Sequence, residues 1–112
     1  MGIRHEDAGA VRHIHLFGRL DTVGSEQIAG EFAELAAGKP AVVVHLSEVT
    51  FLSSMGIRAL IAAAKAQQAK GGRMVLHVDG SDVVVRTLEA TGVDELIPVY
   101  DDEEEAEGAA RG

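Results

Sequence analysis

Apolar positions along the chain alternate between short β-rich runs and helical stripes. Ala10 to Phe17 is β-rich and roughly alternating, and it ends at Gly18, which predicts a strand. Asp21 and Thr22 can cap a following helix whose apolar stripe is Ile28, Phe32 and Leu35. Gly38 and Pro40 stop it. Ala41 to Leu46 is then nearly continuous and β-branched, the pattern of a strand buried on both faces. Ser47 to Leu52 reads as a connection with two apolar anchors, Val49 and Phe51. A second helix is expected from Ser53 or Ser54. It puts Ile57, Leu60, Ile61 and Ala64 on one face and Arg58 and Lys65 on the other, and Gly71-Gly72 ends it.

Met74 to Val78 predicts another buried strand. Between Ser81 and Gly92 the signals conflict, because Val83-Val84-Val85 favours a strand. The serine cap, the segment length and the glycine stop favour a helix that buries Val84, Val85 and Leu88. Leu96 to Tyr100 can add a short edge strand. Strands alternating with helices imply an α/β single domain built on a mixed, largely parallel β-sheet covered by α-helices. Sites in such sheets form where strand C-terminal ends meet helix N-termini. That directs attention to Gly18 to Thr22 and to Ser47 to Gly56.

Composition narrows the function. Aromatic residues are only 4% of the chain, so Val, Leu, Ile and Ala must build the core. Cysteine is absent, which excludes disulfides and thiolate metal sites. No apolar run reaches the roughly 18 to 20 residues that span a bilayer. Arg4, Glu6 and Asp7 stand where a signal peptide needs an apolar stretch, so a cytoplasmic protein without membrane insertion is expected. Of the net charge of −8, −5 falls on residues 101–112, where six acids face Arg111. The remainder is only mildly acidic and shows no basic stripe, which argues against nucleic acid as a partner. The expected organisation is a domain over residues 1–100 and an acidic tail, 101–112, too poor in apolar surface to pack and expected to fray or stay disordered.

Ser53-Ser54-Met55-Gly56 sits between a buried strand and an amphipathic helix. A serine there lies beside the unpaired first-turn amides and the positive end of the helix dipole. Gly56 would keep the turn bare for a close macromolecular approach. A phosphate on Ser54 adds about −1.5 to −2 charges, which a helix start tolerates. An ordinary N-cap serine is the plainer explanation of the same pattern.

Other constellations are weaker. His13 and His15, two apart on a strand, point the same way as metal ligands do, but the sequence places no third ligand, and neither metal nor cofactor is expected. A hydrolase assembled from Ser54, His45 and Asp21 lacks the Gly-x-Ser-x-Gly elbow, so no catalytic residue is assigned. Neither standard phosphate-cradling glycine loop occurs.

Four segments in order, Gly-Arg-Leu-Asp at 18–21, Val-Val-Val-His-Leu-Ser at 42–47, Phe-Leu-Ser-Ser-Met-Gly-Ile at 51–57 and Leu-Glu-Ala-Thr-Gly-Val at 88–93, resemble the STAS domain family, of the anti-sigma-factor-antagonist type. The resemblance implies a non-catalytic partner-switching protein. In its unphosphorylated form it binds an anti-sigma factor, a serine kinase of the histidine-kinase-like ATPase fold, and so frees a sigma factor. Phosphorylation at the start of the second helix breaks that complex, and a serine phosphatase resets it. The phosphorylated position falls on Ser54, and the implied contact surface is Asp21, Ser53, Ser54, Met55, Gly56, Ile57 and Arg58.

Two departures stand out. Ser53 occupies the place of the family's aspartate before the phosphorylated serine, and His45 that of the aspartate after the Val-rich strand. A permanently active antagonist, or one matched to an unusual partner, fits this loss, and His45 is a candidate to sit near a phosphate on Ser54. It also suits an alternative role as a STAS-type accessory subunit of a membrane transporter ATPase complex, binding without phosphorylation. The specific partner and the oligomeric state are not encoded in any readable pattern.

Overall fold

The computed structural model describes residues 2–80 and 82–112. Strand β1 (Gly2–Ala8) turns through Gly9 and Ala10 into the antiparallel β2 (Val11–Leu20). Helix α1 (Thr22–Ala37), β3 (Ala41–Leu52), α2 (Ser54–Ala69) and β4 (Arg73–His77) follow. Then come α3 (Asp82–Thr91), a single turn α4 (Val93–Leu96), β5 (Val99–Tyr100) and α5 (Glu103–Arg111). The sheet order is β1-β2-β3-β4-β5, antiparallel only between β1 and β2.

Alternation along the central strands explains the layers. Val42, Val44 and Leu46 of β3 join Ile14 and Leu16 of β2 and Met74 and Leu76 of β4 in the larger core. Ile28 and Phe32 of α1, Ile57 and Leu60 of α2, and Val84 and Leu88 of α3 close it. Residues of opposite parity point the other way. Val11, Ala41, Val43 and Val75 form a second core with Ala106 and Ala110 of α5. β3 is therefore buried on both faces, as its composition predicts.

The acidic end is a correction. Residues 103–111 form a helix rather than a frayed tail, with Asp102 accepting a hydrogen bond from the Glu104 backbone N–H at 3.1 Å. Ala106 and Ala110, four apart, make a narrow apolar stripe that suffices because Val11, Ala41, Val43 and Val75 lie directly against it. Three acids in the first turn also complement the helix dipole.

Other differences are local. β1 lies where no strand was expected. It is an edge strand of charged residues, held by the Arg12 guanidinium donating to both carboxylate oxygens of Asp7 at 2.8 and 3.1 Å. β2 continues past Gly18, whose φ of +90° accompanies a register shift. β3 runs on to Leu52 because Ser47 to Leu52, read as a connection, pairs with that extension of β2. Residues 82–91 are helical with Val84 and Leu88 buried, and Ser81, expected to open that helix, lies outside the described residues. No helix among the described residues is long and apolar enough to cross a membrane.

Candidate functional site

Because β2 and β3 are adjacent and parallel, their C-terminal ends deliver α1 and α2 side by side. Leu20 pairs with Leu52, and the Ser53 N–H donates to the Leu20 carbonyl at 2.8 Å, tying the two joints together. Each helix is capped by the residue before it. Asp21 Oδ1 accepts from the Gly24 N–H at 2.8 Å, and Ser53 Oγ accepts from the Gly56 N–H at 3.3 Å. Both caps satisfy a donor that would otherwise be orphaned.

Capping is thus done by Ser53, not Ser54. Ser54 is the first helical residue, its side chain is exposed, and its hydroxyl makes no hydrogen bond among the described residues. Met55 and Arg58 are exposed beside it, and Asp21 and Ser53 are half-buried. The other two residues of the expected contact surface face inward. Ile57 packs in the core. Gly56 is buried, and a Cβ there would lie 2.9 Å from Leu52 Cδ1 and 3.3 Å from both Leu20 Cβ and Ser25 Oγ. Its smallness lets α2 settle onto α1 and the strand ends rather than admitting a partner. Gly56→Ala is therefore expected to lower the unfolding free energy by about 1 kcal/mol, overpacking outweighing the gain in helix propensity. Denaturant unfolding checks this.

Phe51, Val23 and Arg19 join the rim without having been expected there. Phe51 is 37% exposed and Val23 64%, beside the expected Met55 at 36%. Arg19 lies over the Phe51 ring, its guanidinium carbon 4.6 Å from the centroid, and its Nε is 3.9 Å from Asp21 Oδ2. Val23 was detectable, since it falls off the Ile28–Phe32 stripe at the start of α1. Phe51 was hidden by reading its strand as a connection.

A family model described as the STAS domain matches residues 3–106. The chain belongs to the STAS family. An anti-sigma F factor antagonist of Paenibacillus polymyxa is 27% identical to this STAS domain over 103 residues, covering 90% of this chain and 87% of that protein. The crystal structure of an anti-sigma factor antagonist from Mycobacterium paratuberculosis superposes with a TM-score of 0.88 at 27% identity, covering 99% of this chain and 94% of that one. An anti-sigma-factor antagonist (STAS) domain protein from Planctomyces limnophilus gives 0.82 at 30% identity, with 96% of each chain covered.

His45 does not belong to the rim of this STAS domain. It lies seven residues before the end of β3, roughly 20 Å along a strand. It is on the sheet face under α5, whereas α2 packs on the opposite face. Its ring nitrogens are engaged by His13 and His77. The expected phosphate-proximal histidine is thus elsewhere, and the Ser54–His45–Asp21 arrangement is not assembled. What remains at the rim is an exposed hydroxyl on a helix start, at the same end of the sheet as the exposed Phe51, Met55 and Val23.

Proposed function

We propose that this STAS domain is an anti-sigma-factor antagonist, a non-catalytic partner-switching module regulated by phosphorylation at Ser54. Its partner is an anti-sigma factor with serine-kinase activity and the histidine-kinase-like ATPase fold, and a serine phosphatase restores the binding form. The observation that carries this reading is the Ser54 hydroxyl, exposed on the first turn of α2 and relieved of capping by Ser53. A hydroxyl already used as a cap could not be modified without fraying the helix. This one can.

Phosphate at Ser54 sits at the positive end of the α2 dipole, and Arg58, one turn on, is exposed and within helical reach of it. The fold therefore tolerates the modification. A partner lying over Phe51, Met55 and Val23 does not, because it would have to desolvate about two negative charges. Ser54→Ala should bind the cognate anti-sigma factor as the wild type does, while Ser54→Asp binds at least tenfold more weakly, about 1.4 kcal/mol. Calorimetric titration of both variants checks this, and equal affinities would remove the switch. A complex with a transporter ATPase subunit that is indifferent to both substitutions would favour the accessory-subunit role instead.

A further inference from the structure

On the opposite face, the register of three parallel strands sets His15, His45 and His77 in one row across β2, β3 and β4. His13, two residues before His15 on β2, points the same way. His13, His45 and His77 are only 5%, 5% and 7% exposed. Elsewhere under α5 the same sheet face carries Val11, Val43 and Val75. Apolar residues would cover the row at lower desolvation cost, so three buried imidazoles there call for a reason.

Their nitrogens converge. His13 Nδ1 lies 2.8 Å from His45 Nε2, and Glu103 Oε1, from the first turn of α5, lies 4.0 Å from the same His45 nitrogen. All three donor atoms fall within 4.8 Å of one another. Behind them stand two orienting partners. His13 Nε2 donates to Glu107 Oε1 at 3.0 Å, which leaves His13 Nδ1 a free lone pair. His45 Nδ1 lies 2.8 Å from His77 Nδ1, and by donating there it frees His45 Nε2. An acceptor behind each ligating histidine, usually a carboxylate, a backbone carbonyl or water, fixes tautomer and ring orientation at a metal; Glu107 and the His77 lone pair fill that place here.

We propose that His13 Nδ1, His45 Nε2 and Glu103 Oε1 bind a borderline divalent transition-metal ion, represented by Zn2+, with a further position open to water. Two imidazoles and one carboxylate are a zinc donor set, unlike the all-oxygen shells of Mg2+ and Ca2+. Bonds of about 2.0–2.1 Å place tetrahedral donors roughly 3.3 Å apart, so the two rings separate by about half an ångström while the Glu103 carboxylate closes in by about 0.7 Å on His45 and by up to about 1.5 Å on His13. Glu103 can do so, being 60% exposed at a helix start. His45 and His77 each move their proton to the other ring nitrogen, and no proton is lost overall.

Solvent reaches the position through two depressions that share Glu103. One is lined by Glu6, His13, Glu104 and Glu107, the other by Arg4, His15, His45 and His77. Arg4, which lines the second depression, is engaged with Glu48 at 3.0 Å.

The test uses the tag-free full chain, stripped with a chelator, and Zn2+ titrated in competition with a chromophoric chelator. One equivalent should bind with a dissociation constant in the low micromolar range or tighter, unaffected by excess Mg2+, and Co2+ should develop visible d–d absorption. Glu103→Gln, at an exposed position that leaves the circular dichroism unchanged, should weaken Zn2+ at least tenfold. His45→Gln should abolish the stoichiometric site, and His5→Ala, exposed on β1, should not alter it. Absence of saturable uptake, or equal uptake by Glu103→Gln and the wild type, overturns the proposal.

Discussion

Ala106→Asp should undock α5 and lower the unfolding free energy by about 3 kcal/mol, the cost of an uncompensated buried charge. Ala106 is fully buried among Val11, Ala41, Val43, Val75 and Ala110, which offer a carboxylate no hydrogen-bond donor. The helix can escape the penalty by releasing its hold, so the loss is bounded by what its docking contributes. The expected signature is accordingly local. Helical ellipticity from residues 103–111 and protease resistance at that end should fall, while the larger core, to which α5 contributes nothing, stays folded. Glu105→Ala, on the exposed face, should stay within about 0.5 kcal/mol of the wild type. Unchanged stability in Ala106→Asp would mean that α5 does not seal the second core.

That helix also shows where sequence reading stops. Nine residues with four glutamates read as a solvated tail, because local composition carries no information about the surface beneath it. Two alanines are an adequate apolar stripe only against a sheet face already made flat and apolar by Val11, Val43 and Val75, and no local pattern reports that. Where one segment carried all the information, reading succeeded. The Val-rich β3, the stripe of α2 and the exposed serine at its start were legible because periodicity and capping act within a few residues. Which of two neighbouring serines caps was decided by a tertiary bond, Ser53 N–H to Leu20 O, and so was not. The histidine row was likewise illegible. His13 and His15 were visible as a pair, but His45, His77 and Glu103 join them only through strand register and the return of the chain end.

Gln67→Glu should cost about 3 kcal/mol at neutral pH, although it exchanges a single NH2 for an oxygen. Gln67 continues the buried stripe of α2 and is 2% exposed. Its Nε2 donates to the carbonyls of Ala36 and Lys39, the latter at 2.6 Å, and so fastens the end of α1 and the turn into β3. The Ala36 carbonyl is one of the acceptors that a helix C-terminus leaves open, and the Lys39 carbonyl lies in the turn that follows. A carboxylate there deprives both carbonyls of their donor and faces them with like partial charge. Gln67→Leu, which removes the donors without adding charge, should cost less, about 2 kcal/mol. Acidification separates the two mechanisms. Burial and the carbonyl dipoles raise the pKa of the new carboxyl in the folded state above its unfolded value. Protonation is then coupled to folding, so the lost stability is present below the unfolded pKa and disappears as the pH rises through the folded one. The protonated acid also donates to one carbonyl again. Relative to the wild type, Gln67→Glu should therefore recover part of its deficit between neutral pH and about pH 4, near the ordinary glutamate value, while Gln67→Leu gains nothing. Chemical denaturation of the three proteins across that range reads the difference directly, and parallel pH profiles would show that Gln67 does not hold the α1 terminus.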